Sequence, residues 1–114
     1  MQRDFQHFPN DDNGDTLWRM ASQGDNLSKQ RTVDFAVIFP SEAQALQFAV
    51  ELLRQGRKVS FGPYEGDTER PWQVVVHPML LPTHDDISDF EARLARTAEP
   101  LDGRNDGWGC FRQD

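Results

Sequence analysis

From Thr32 to Phe39 the chain alternates, placing Val33, Phe35, Val37 and Phe39 on one side and Asp34, Ala36 and Ile38 on the other. That period of two predicts a strand with one strongly apolar face and one mixed face. Pro40 stops it, and Ser41 with Gln44 three residues on gives the capping-box pattern of a helix start. Along "SEAQALQFAVELLRQG" the apolar positions Ala45, Ala49, Leu52 and Leu53, flanked by Leu46 and Phe48, recur at helical spacing, and Gly56 supplies the stop. "RKVSFGP" then predicts a short strand in which Val59 and Phe61 share a face, a pattern suited to a sheet edge. Beyond the charged turn "YEGDTER", "PWQVVVHP" predicts a second strong strand with Trp72, Val74 and Val76 on one side. Pro71 is tolerated at its first residue.

Pro82 and Thr83 open a second helix with a Thr-x-x-Asp start, and Ile87, Phe90, Leu94 and Ala98 form its buried stripe until Pro100 ends it. "LDGRNDG" reads as a loop and "WGCF" as a final short strand. Upstream, "NGDTLWRMASQGDNLSK" predicts a short helix capped by Asp15 and ended at Gly24, with Leu17, Trp18 and Met20 docking on the main body. Residues 1–12 lack periodicity and are expected to be an extended or mobile lead-in to a single domain over 13–114. Behind the N-terminal helix the order is strand, helix, strand, strand, helix, strand. This is the ferredoxin-like split βαβ plan, an α+β sandwich whose antiparallel sheet carries both helices on one face. The right-handed crossover rule then places the first and third strands in the centre.

A chain of 114 residues builds one core, burying roughly two thirds of the surface its unfolded form exposes. Eight Phe and three Trp supply large side chains for it. Twelve Lys and Arg against nineteen Asp and Glu leave a net charge of −7, which disfavours direct binding to nucleic acid or to an anionic membrane. The opening "MQRDFQHFPN" has no apolar stretch long enough for a secretory signal, and nowhere do about 18 apolar residues run together, so a cytoplasmic protein is expected. The single cysteine, Cys110, excludes an intrachain disulfide.

Candidate chemistry is sparse. His7 lies in the lead-in, His77 ends a strand next to Pro78, and His84 sits in a first helical turn beside Asp85 and Asp86. No second ligand set at metal spacing accompanies "THDD", so neither a metal nor another cofactor is expected. Cys110 reads as a small buried hydrophobe, and the glycines of "FGPYEGDTE" are turn glycines. No nucleophile, base and orienting group stand in a recognisable sequence arrangement, so no catalytic residue is assigned and a non-enzymatic protein is expected. Residues 83 to 102 hold six acids against Arg93 and Arg96, a local charge of −4. Asp85, Asp86, Asp89 and Glu91 on the second helix are the candidate docking surface for a basic protein partner. The sheet face away from the helices would carry Asp34, Ala36, Ile38, Gln73, Val75 and His77. It is the alternative binding surface, for a small ligand or for a homodimer through the sheet.

Near the end the chain reads "NDGWGC". Asp106 and Gly107 read as the turn into the last strand, Trp108 as a packing anchor and Gly109 as a point of close backbone approach, all structural. "DGWG", the "GDNLSKQRTVDFAVIFPSE" join and "WQVVV" together resemble the regulator of ribonuclease E activity B family, the ribonuclease E inhibitor proteins, over roughly Asn13 to Phe111. The resemblance implies a ferredoxin-like α+β domain that binds the endoribonuclease ribonuclease E and lowers its activity by protein contact. It implies no catalytic residues, and its "DGWG" positions fall on Asp106, Gly107, Trp108 and Gly109.

Overall fold

The computed structural model describes residues 2–114. Its elements run α1 (Asp12–Ser22), β1 (Arg31–Thr32), β2 (Asp34–Phe39), α2 (Glu42–Arg54), β3 (Val59–Pro63), β4 (Trp72–Val76), β5 (Met79–Leu80), α3 (His84–Ala98), a 3-10 turn at Glu99–Leu101, and β6 (Arg104–Gly109). Four strands make the main sheet in the order β3-β4-β2-β6, with every neighbouring pair antiparallel. The two strongest strands of the sequence, β2 and β4, are therefore central, as the crossover rule requires.

Alternation decides which face is covered. Phe35, Val37 and Phe39 of β2 and Val74 and Val76 of β4 join Ala45, Phe48, Ala49 and Leu52 of α2 and Ile87, Phe90, Leu94 and Ala98 of α3 in one buried cluster. Both helices thus lie on the same side of the sheet. Phe35 meets Phe90 with ring centroids 4.7 Å apart, and Phe39 meets Phe48 at 5.0 Å. Side chains of this size contribute about 1.5–3 kcal/mol each when fully buried.

The helix starts are side-chain capped. Ser41 Oγ accepts the Gln44 N–H at 3.3 Å, and Thr83 Oγ1 accepts that of Asp86 at 3.2 Å. For α1 the cap is Asp11, whose carboxylate accepts the Gly14 N–H at 2.7 Å, and not Asp15, which lies within the helix. The segment 32–39 is not one strand either. Arg31 and Thr32 pair with Leu80 and Met79 in a separate two-stranded sheet, and the Val33 N–H donates to the Pro78 carbonyl at 2.9 Å before β2 begins.

The last strand lies earlier than "WGCF". It spans Arg104–Gly109, so Asp106 and Gly107 are inside the strand and not a turn before it. Phe35 pairs with Trp108 and Val37 with Asn105, which leaves one extra residue on β6, and Gly107 takes φ +102° there. This is a β-bulge that uses glycine's left-handed freedom. Gly109 has open space where a Cβ would sit. The close approach falls at Gly103, where a Cβ would collide with the Phe39 ring and with Ala98.

Candidate functional site

The bulge sets the direction of Trp108, and Trp108 fixes the N-terminal helix. Its Nε1–H donates to Asn13 Oδ1 at 2.9 Å, while Asn13 Nδ2 donates to Ser88 Oγ at 3.0 Å and to Glu91 Oε1 at 2.7 Å. One asparagine thereby ties α1 to β6 and to α3, and Leu17 of α1 is fully buried. The lead-in folds back on the same helix. Arg3 donates to the carbonyls of Phe8 and Pro9 and pairs with Asp15 at 2.8 Å, and the Phe8 ring meets Trp18 edge-on at 5.5 Å.

This docking brings the N-termini of α1 and α3 together into an acidic end. Asp11 Oδ2 lies 2.7 Å from His84 Nε2, and Asp85 lies 3.8 Å from the other ring nitrogen. The Gly14 N–H, with His84 second, holds the Asp11 carboxyl below its ordinary value. Asp12, Asp85, Asp86 and Asp89 are exposed. Glu91 differs from the other three acids singled out on α3, because it is half-buried and turned inward to Asn13. An open cleft of about 550 Å³ between α1, α3 and β6 is lined by Asp11, Asp12, Glu91, Asn105 and Trp108 among others, and not by Asp85, Asp86 or Asp89. Asn105 donates to the Glu91 carbonyl at 2.9 Å, and its Oδ1 is buried without a partner. Arg93 and Arg96 sit further along α3, so the charge is concentrated at one end of that helix.

A second cluster holds the C-terminal segment. Arg31 Nη1 donates to both Asp25 oxygens at 2.8 and 2.9 Å and to the Phe111 carbonyl at 3.1 Å, with both side chains almost fully buried. Asn26 and Gln113 complete the clasp through a backbone hydrogen bond of 2.8 Å. Beside it, burial pushes the Cys110 thiol above its ordinary value, so this cysteine makes a poor thiolate.

The outer sheet face is less open than alternation suggests. Ile38, expected there as an apolar contact, is completely buried, while Gln73, Val75 and Ala36 are half-buried. The segment between β3 and β4 crosses the sheet at that end. Arg104 of β6 pairs with Asp67 at 2.6 Å, Arg70 pairs with Asp102 at 3.0 Å, and Tyr64 bonds to Asp106, which raises the Tyr64 hydroxyl pKa. Since Ile38 pairs with Gln73 on one side and Arg104 on the other, the segment spans it. At the other end of this face, Asp34 Oδ1 lies 2.7 Å from His77 Nδ1, and His77 Nε2 lies 2.7 Å from Ser60 Oγ.

Among the described residues no group of three or more His, Cys, Asp or Glu is placed to hold a metal ion, and no helix is long and apolar enough to cross a membrane. Residues 10–110 match the family described as Regulator of ribonuclease activity B. The chain belongs to that family. No curated protein matches the chain. The matched range takes in α1, Asp25, Arg31 and every strand.

Sequence reasoning missed Asn13, Asp25, Arg31 and Ser60. Asp25 and Arg31 both stand in the "GDNLSKQR" join, where an isolated acid and a cation flanking a short loop were the available signal. Nothing local marks Asn13 or Ser60. Their roles come from partners 95 and 17 residues away.

Proposed function

We propose that this regulator of ribonuclease activity binds an endoribonuclease of the ribonuclease E type in the cytoplasm and lowers RNA turnover by protein contact, without chemistry of its own in that role. The observation that carries the reading is family membership over residues 10–110. The contact surface is the acidic end, where Asp11 and Asp12 of α1 join Asp85, Asp86 and Asp89 of α3. With an overall charge of −7, this surface suits a basic segment of a protein and repels RNA, so the partner is the enzyme and not its substrate. A homodimer through the sheet loses its main support, because Ile38 is not available as an apolar contact.

Immobilised protein should retain purified ribonuclease E from the same cell at low salt and release it as salt rises. Replacing Asp85, Asp86 and Asp89 together by Asn should weaken binding by about tenfold, since exposed charges contribute up to about 1 kcal/mol each. Retention that ignores both salt and these substitutions would remove the acidic end from the reading, and no retention at low salt would remove the reading itself.

A further inference from the structure

We propose that Ser60, His77 and Asp34 form a hydrolytic triad on the outer sheet face, acting on carboxylic esters with a short acyl group. Strand register assembles it. The pairing of Phe35 with Val76 sets Asp34 directly opposite His77, and the pairing of Ser60 with Val75 sets Ser60 one diagonal step from His77 on the same face. The resulting chain runs Asp34 Oδ1 to His77 Nδ1 at 2.7 Å and His77 Nε2 to Ser60 Oγ at 2.7 Å.

The order of the chain assigns the protons. An ionised carboxylate only accepts, so Nδ1 carries the hydrogen of the neutral ring and Nε2 is left to accept from the Ser60 hydroxyl. This is the arrangement in which a histidine serves as general base to a serine and a carboxylate orients it. Ser60 is exposed and open to a substrate, while His77 has a side-chain exposure of 25%.

Beside Ser60 the outer edge of β3 is unpaired, because β3 ends the sheet. The His77 N–H donates to the Lys58 carbonyl at 3.0 Å and the Tyr64 N–H to that of Pro71 at 2.7 Å. Between these two bonds, the even-numbered residues of β3 turn their backbones toward β4, so the odd-numbered ones face outward from the edge of the sheet. The N–H of Phe61, the residue after Ser60, therefore has no ladder partner. Ala36 and Val75 pair beside the triad and offer a small apolar floor, and Gly62 and Gly109 leave open space next to it.

Ser60 Oγ attacks the ester carbonyl carbon while its proton passes to His77 Nε2. The bond to the leaving alcohol breaks, the alcohol takes that proton, and the acyl group remains on Ser60. Water attacks this second ester by the same route, releasing the carboxylic acid and restoring the serine. The net reaction is ester and water to acid and alcohol. It proceeds on the side of the sheet away from α2 and α3, so it is independent of the ribonuclease contact.

The test treats the full chain with a fluorophosphonate probe, maps the adduct by peptide mass spectrometry, and follows hydrolysis of p-nitrophenyl acetate. Circular dichroism confirms that each variant is folded. The adduct is expected on Ser60. Ser60→Ala and His77→Gln should each slow hydrolysis by about 100-fold, with Asp34→Asn also slow and His7→Gln unchanged. A folded wild-type protein with no adduct on Ser60, or a Ser60→Ala variant that hydrolyses the ester as fast as wild type, would overturn the proposal.

Discussion

The two faces of β2 make different demands on the same six residues. Phe35, Val37 and Phe39 point into a dry cluster shared with two helices, where shape and volume are what count. Asp34, Ala36 and Ile38 point the other way and meet three different fates: a hydrogen-bonded histidine, a half-buried surface, and complete burial beneath a crossing segment. Period two tells which residues share a face. It does not tell what lies over that face, because the cover comes from a loop whose anchors, Tyr64, Asp67 and Arg70, are remote in sequence from β6 and the turn before it.

Substitutions on the two faces should separate in size. Phe35→Ala on the helix side removes a fully buried ring and should cost about 3–5 kcal/mol in urea unfolding. Ile38→Ala on the outer side should cost about 2–4 kcal/mol and leave the sedimentation coefficient unchanged, because Ile38 packs within its own chain. Were Ile38 instead an intermolecular contact, the same substitution would change the association state with little loss of stability. Trp108→Phe keeps most of the packing but gives up the Nε1–H bond to Asn13, a loss of about 0.5–1.5 kcal/mol readable in the same experiment.

The smallest effect concerns acid. Asp67 is held below its ordinary value of 3.8, first by the Arg70 N–H, then by that of Glu69 and by Arg104. A carboxyl with a lowered folded pKa binds protons less readily folded than unfolded, so its stabilisation is present above 3.8 and fades as pH falls through the folded value. Thermal unfolding followed from pH 6 downward should show wild type losing stability below that point more steeply than Asp67→Asn. Parallel curves would mean that the crossing segment is not held by this charge.

The core, the central strands and two helix caps were legible in the sequence because each is encoded within a few residues, by alternation, helical spacing or a Ser/Thr start. The last strand lies outside the segment that alternation predicts because two glycines and a bulge interrupt the pattern, and Gly107 at φ +102° carries the turn signature inside a strand. Asp11 lost to Asp15 as the expected cap because "DDNGD" offers several acids and only packing against Pro9 and α3 chooses among them. Of the candidate docking acids, Asp85, Asp86 and Asp89 keep outward positions on α3 while Glu91 turns in. The Ser60–His77–Asp34 chain was hidden for a different reason. It exists only once the register of three strands is known.

We propose that this domain regulates a ribonuclease through its acidic end. The proposal is tested most directly by adding the folded protein to purified ribonuclease E from the same cell and following cleavage of a model RNA, with wild type beside the Asp85, Asp86 and Asp89 triple Asn variant. Wild type should slow cleavage in proportion to its concentration, and the variant should require about tenfold more for the same effect. Cleavage unchanged by wild-type protein in excess would contradict it.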